Sequence, residues 1–188
     1  MKLIQIQLLI MTLFMSISVN AQWKNTSERY SKSYEQYLDA TCPIKPDNIQ
    51  HFVYFSRDRE QIINHALLTN SRFRGAQIMY SWRQLETAKG QYDFSIIQED
   101  INYLKQHGKQ LFIQLQDATF NPKYKGIPDY LFTAEYDGGA IYQREDDGEI
   151  EGWVAKRWNA KVRARFSTLL QALGKQFDGK IAGINLQE

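Results

Sequence analysis

Short β-branched and aromatic runs alternate with helix-period stretches through most of this chain, and that alternation narrows the fold before anything else does. His51 to Ser56, Gly75 to Tyr80, Lys109 to Gln116 and Ile181 to Glu188 read as strands. Asp58, three residues before Gln61, makes a capping-box-like start, and Ile62, Ile63, Ala66 and Leu67 follow at helical spacing. Ser95 and Gln98 form a second capping box, Ile97, Ile101 and Leu104 supply the buried stripe, and Gly108 ends that helix as a left-handed cap. Val162, Phe166, Leu169, Leu170, Leu173 and Phe177 share one face of a third helix. Strand and helix in turn, joined mostly by short connections, call for an α/β fold with a parallel sheet covered by helices. A doubly wound sheet and a closed barrel both satisfy that pattern, and periodicity does not separate them.

The start of the chain is set apart. Met1-Lys2 gives a positive beginning, Leu3 to Val19 is almost wholly apolar, and Val19-Asn20-Ala21 places small residues where a signal peptidase reads. Residues 1–21 are therefore expected to be a signal peptide cleaved after Ala21, with a secreted or periplasmic product. Gln5 and Gln7 inside the apolar run argue against a stable membrane anchor. Residues 22–50 are polar and rich in Ser, Lys and Tyr, a lead-in segment rather than a domain. Net charge is only +2, so nothing points to nucleic acid as a partner. The cluster Lys156, Arg157, Lys161, Arg163 and Arg165 straddles a helix start and reads as a solvated surface. Cys42 is the one cysteine, which leaves no internal disulfide, and His51, His65 and His107 lack ligand spacing; no metal or other cofactor is implied. Gly174, Gly179 and Lys180 imitate a phosphate-binding loop, but Ile181 stands where Ser or Thr is needed and the strand–helix order is reversed.

The most informative segment follows the second strand: Trp82, Leu85, Glu86, Gly90, Tyr92, Asp93 and Phe94. Gly90 permits a tight turn, Tyr92 and Phe94 can pin it, and Asp93 can cap the helix starting near Ser95. This W-x-x-L-E-x-x-x-G-x-Y-D-F run resembles the element after the second barrel strand of clan A glycoside hydrolases, notably the family-42 β-galactosidases and their relatives. The resemblance implies a TIM (β/α)8 barrel, with residues 51–188 as its N-terminal half and only about the first four βα units present. A full barrel takes about 250 residues.

In the family it resembles, the acid/base glutamate ends the fourth barrel strand, and strand counting puts Glu188 there. A carboxyl shielded at a strand end has a raised pKa and can protonate a leaving-group oxygen. The family commonly has Asn before it; here Gln187 stands there and Asn185 two residues earlier. The substrate-binding candidates are Trp82, Gln114, Gln116, Asp117 and Gln187. Trp82 has packing or stacking open to it, and Gln114 and Gln116 either line a sugar site or bond one another. The stretch from Asp117 to about Asn159 is expected to be a long loop, with Tyr124, Tyr130, Tyr136, Tyr142 and Trp153 as stacking material for sugar rings.

The resemblance implies an exported hydrolase of O-glycosidic bonds acting with retention, its nucleophile on a later strand outside this sequence, and this fragment inactive by itself. A non-catalytic carbohydrate-binding or scaffold protein on the same barrel is the alternative, and another exported barrel enzyme a third. A carbohydrate is the expected partner. Sugar, linkage, endo or exo action and oligomeric state are not legible.

Overall fold

The computed structural model describes residues 31–39 and 48–187. The expected signal peptide, Cys42 and Glu188 lie outside the described residues. The chain divides into two units, residues 1–47 and 48–188. In the first, the described residues form a 3-10 turn over Glu35–Tyr37, in which Tyr37 N donates to Tyr34 O at 2.9 Å.

The second unit is organised by four parallel strands in the order β1 (His51–Tyr54), β2 (Phe73–Ser81), β5 (Gln110–Gln116) and β9 (Gly183–Leu186). Each pairs with its sequential neighbour in that sheet, so the four C-terminal strand ends share one edge. Alternation decides the two faces. Ala76, Ile78 and Tyr80 of β2 and Leu111, Ile113 and Leu115 of β5 are buried on one face. They form one core with Ile97, Ile101 and Leu104 of helix α2 (Ser95–Gln106) and Val162, Phe166, Leu169, Leu173 and Phe177 of α3 (Ala160–Phe177). Each such Leu or Ile withdrawn from water contributes about 1.5–3 kcal/mol before the cost of ordering it. The opposite face carries Gln77, Met79, Phe112, Gln114 and Asn185, all only half-buried.

Strand approach is close between β2 and β5. A Cβ on Gly75 would stand 1.7 Å from the Gln110 carbonyl oxygen, so only glycine fits there.

The helices α2 and α3 fall where their apolar stripes place them. Asp93 Oδ1 accepts from Ser95 N at 2.9 Å and satisfies one open N–H of α2, and Gly108 leaves that helix at φ 67°. The Ser95 side chain makes no cap; Phe94 occupies the N-cap position. Asn159 caps α3 by accepting from Lys161 N and Val162 N.

The expected first helix is not an α-helix. Between β1 and β2 the chain makes two 3-10 turns, Arg59–Ile62 and Ala66–Leu68. Asn64 between them is left-handed at φ 55°, which no helix can pass through, and His65 Nδ1 accepts from Leu67 N to begin the second turn anew.

The stretch after Asp117 is not the structureless loop expected. It contains β6 (Ala118–Thr119), β7 (Ala140–Arg144) and β8 (Ile150–Ala155), an antiparallel sheet in the order β6-β8-β7. Trp153 lies 4.2 Å from Tyr142 and edge-on to Phe132 at 5.8 Å between ring centroids, and Phe132 and Ala155 pack with the core. Lys125 sits over both Phe132 and Trp153. A short helix α1 (Trp82–Leu85) and the hairpin β3 (Glu86–Ala88) and β4 (Gln91–Tyr92) complete the unit. No described helix is long and apolar enough to cross a membrane.

Candidate functional site at the C-terminal strand ends

Gln116 is the last residue of β5, and Asp117 follows it out of the sheet. Both are buried, at 3% and 1% exposure. Gln187, directly after β9, is buried too and donates its N–H to Leu115 O at 3.2 Å, extending the sheet ladder by one step. The strand ends thus bring Gln116, Asp117 and Gln187 together.

Their polar atoms are satisfied unequally. Arg157 closes on the Asp117 carboxylate through Nε, at 2.6 Å from Oδ2, and through Nη2 to Oδ1; the same Nη2 donates to Gln187 O. A buried carboxylate requires such a partner. By contrast, Oε1 of Gln116 and Oε1 of Gln187 are buried with no hydrogen-bond partner among the described residues. Each missing bond is a cost of about 1–3 kcal/mol unless a donor arrives. Two orphaned acceptors on neighbouring strand ends are therefore a place suited to a ligand rich in hydroxyl donors.

Gln114 is spoken for differently. It lies one layer deeper on the half-buried face, where Tyr54 Oη donates to its Oε1 at 2.7 Å, while Gln77 Nε2 reaches Asn185 Oδ1 at 3.4 Å. Gln114 and Gln116 do not bond one another.

Trp82 stands away from this cluster. It is fully buried, 5.0 Å from the Phe166 ring, and its Nε1 donates to Glu86 Oε2 at 2.7 Å. Of the two roles left open for it, the described position is the packing one: the buried ring offers no face to a ligand. Glu86, also fully buried, takes Gly90 N on Oε1 at 2.7 Å and is paired with Arg165. Arg165 Nε donates to Tyr130 Oη at 3.1 Å. Burial opposes the charge of Arg165, but its bonds to Tyr130 and Glu86 outweigh that and raise its pKa. Burial likewise lifts the Tyr130 phenol above its usual value, against the pull of Arg165. This carboxylate clamps the β3–β4 hairpin to α3.

Of the aromatic residues in the long stretch, Tyr136 is buried and Tyr130 is held by Arg165. Tyr124 Oη donates to Ser81 Oγ at 2.8 Å, beside the Ser81 bond that caps α1 at Gln84 N. Tyr142 stays 44% exposed against Trp153.

The basic cluster is only in part the solvated surface expected: Lys161 and Arg163 are exposed, and the other three are paired. Lys156 pairs with Asp137, Arg157 with Asp117 and Arg165 with Glu86. For Arg157, what could have revealed this is the acidic partner: Asp117 at the end of an apolar strand must be buried, and a buried carboxylate needs a cation.

No family model and no curated protein matches the chain. Solved structures do. Over 76% of this chain and 38% of the other, it is similar to the catalytic domain of the β-amylase from Paenibacillus polymyxa, with 14% identity and TM-score 0.57. A β-galactosidase from Halorubrum lacusprofundi matches 73% of this chain and 21% of its own, at 18% identity and TM-score 0.52. A β-galactosidase from Rahnella sp. R3 matches 78% and 22%, at 14% identity and TM-score 0.50. The likeness is one of fold, to the parallel β/α architecture of TIM-barrel glycoside hydrolases. The chain spans less than two fifths of the length of each of these proteins.

Proposed function

We propose that this chain is the N-terminal, four-unit part of an exported TIM-barrel glycoside hydrolase related to the family-42 β-galactosidases, hydrolysing O-glycosidic bonds with retention. The observation that carries this reading is the pair of orphaned amide oxygens on Gln116 and Gln187 at the C-terminal strand ends. That is the edge at which barrels of this kind build their sites. Sugar hydroxyls supply the donors those oxygens lack, and Glu188, next in the chain after Gln187, is the general acid/base. Retention needs a second carboxylate about 5–5.5 Å from the first. Asp117, the buried carboxylate at these strand ends, is engaged by Arg157. The nucleophile stands on a later barrel strand, as the resemblance to that family implies. The signal-peptide pattern of residues 1–21 supports a periplasmic or secreted product.

That same engagement favours a second reading, a sugar-binding protein that keeps the fold without the chemistry. Turnover of a panel of chromogenic aryl glycosides by a protein that continues through the later barrel strands, with Glu188→Gln alongside, separates the two. Turnover lost in Glu188→Gln supports the hydrolase. Sugar binding with no turnover supports the binding protein, and neither turnover nor binding overturns both.

A further inference from the structure

The polar row along the strand ends continues past β2 to the end of β1. The chain leaves β1 through Ser56, which adopts a left-handed backbone (φ 52°) without being glycine, and its carbonyl accepts from Met79 N at 2.7 Å. A non-glycine residue held there carries a conformational cost that its surroundings must offset. The turn delivers Arg57 with its guanidinium carbon 5.2 Å from the centre of the Tyr124 ring. Tyr124 is fixed in turn by its bond to Ser81 Oγ, and Ser81 is the register partner of Gln116. A guanidinium, a phenol ring, a serine hydroxyl and a buried glutamine therefore follow one another along the edge of the sheet.

Charge balance distinguishes Arg57 from its neighbours. Arg83, Arg157 and Arg165 are each met by a carboxylate, from Asp129, Asp117 and Glu86. Arg57 is exposed and forms no salt bridge among the described residues; the face of Tyr124 is its contact. An exposed guanidinium whose contact is a ring face keeps N–H groups able to meet an oxyanion, in the fork that suits one.

We infer that the sugar taken at these strand ends carries an oxyanion group, a carboxylate or a sulfate ester, and that Arg57 is the residue that reads it. The inference rests on the sugar-binding reading above and narrows its substrate class to acidic glycosides.

The test is equilibrium binding to the chain as it stands. The probes are the methyl glycosides of glucose, galactose and mannose, each in neutral, C6-carboxylate and C6-sulfate form. At least one acidic form is expected to bind about tenfold more tightly than its neutral counterpart, the worth of a charge-assisted hydrogen bond. Arg57→Gln, checked for native circular dichroism, is expected to erase that preference. Which acidic form is favoured tells carboxylate from sulfate. Neutral forms binding as well as acidic ones, or a preference that survives Arg57→Gln, overturns the inference and leaves the sugar site standing. Absence of binding by every form overturns the sugar site and the inference together.

Discussion

Arg157 holds both oxygens of the Asp117 carboxylate through one edge of its guanidinium while donating to the Gln187 main chain, and so ties the end of β5 to the end of β9. The Asp117 side chain is wholly enclosed, whereas Arg157 is 39% exposed. Removing one partner of a fully buried pair costs about 3–5 kcal/mol, and solvent access to Arg157 lowers the expectation for Arg157→Ala to about 2 kcal/mol. Asp117→Asn added to that variant removes the stranded charge, so the double variant is expected to be the more stable of the two in urea unfolding. A double variant weaker than Arg157→Ala would contradict the account.

Two glycines are expected to respond to alanine in opposite ways. Gly75→Ala drives a methyl group into the Gln110 carbonyl and breaks the β2–β5 pairing, so soluble folded protein should be lost. Gly174 lies within α3 with nothing within 4 Å of an added Cβ. Gly174→Ala should stabilise by about 0.5–1 kcal/mol, read as a higher urea midpoint at unchanged slope.

Much of the layout is legible in the sequence, and the failures are local. The stripes of α2 and α3 predict their buried residues because an apolar period of 3.6 against a parallel sheet has one way to be buried. The turn before β2 fails because Asn64 takes a left-handed backbone that no periodicity reveals. The hairpin of β7 and β8 was hidden by composition: Asp146-Asp147-Gly148 marks its turn, but Gln143, Arg144 and Glu151 within its strands leave no apolar alternation to read. Asp117, Gln116 and Gln187 were legible as polar residues ending apolar strands. Arg157 was not, since it reaches Asp117 from 40 residues away.

High pH should weaken the fold through Tyr80. Burial first, and then the charge of Asp100, raise its pKa, and its hydroxyl donates to Asp100 Oδ2 at 2.6 Å. Below about pH 10, the ordinary tyrosine value, folded and unfolded chains both keep the phenol protonated and its contribution is whole. Above it the unfolded chain releases the proton while the folded one retains it, so stability falls as pH rises. Denaturant midpoints measured across about pH 9–11 should fall less steeply in Tyr80→Phe than in the unmodified chain; equal slopes would exclude Tyr80 as a source.

Glu86→Ala should be among the costliest single changes, by about 3 kcal/mol, because it strands Arg165 and the Trp82 and Gly90 N–H groups at once. Glu86→Gln retains an acceptor and should lose less. The near-ultraviolet circular dichroism of Trp82 reports the difference: its signal should persist in the glutamine variant and fade in the alanine one.

The sheet of β6, β7 and β8 has two sides to its packing: Trp153 and Tyr142 meet near the surface, while Phe132 and Ala155 join it to the core. Such a roof is free to vary only on its outer side: a change at Tyr142 can drift alone, whereas one at Phe132 or Ala155 must be answered by the walls below, so the edge and its scaffold evolve partly in step.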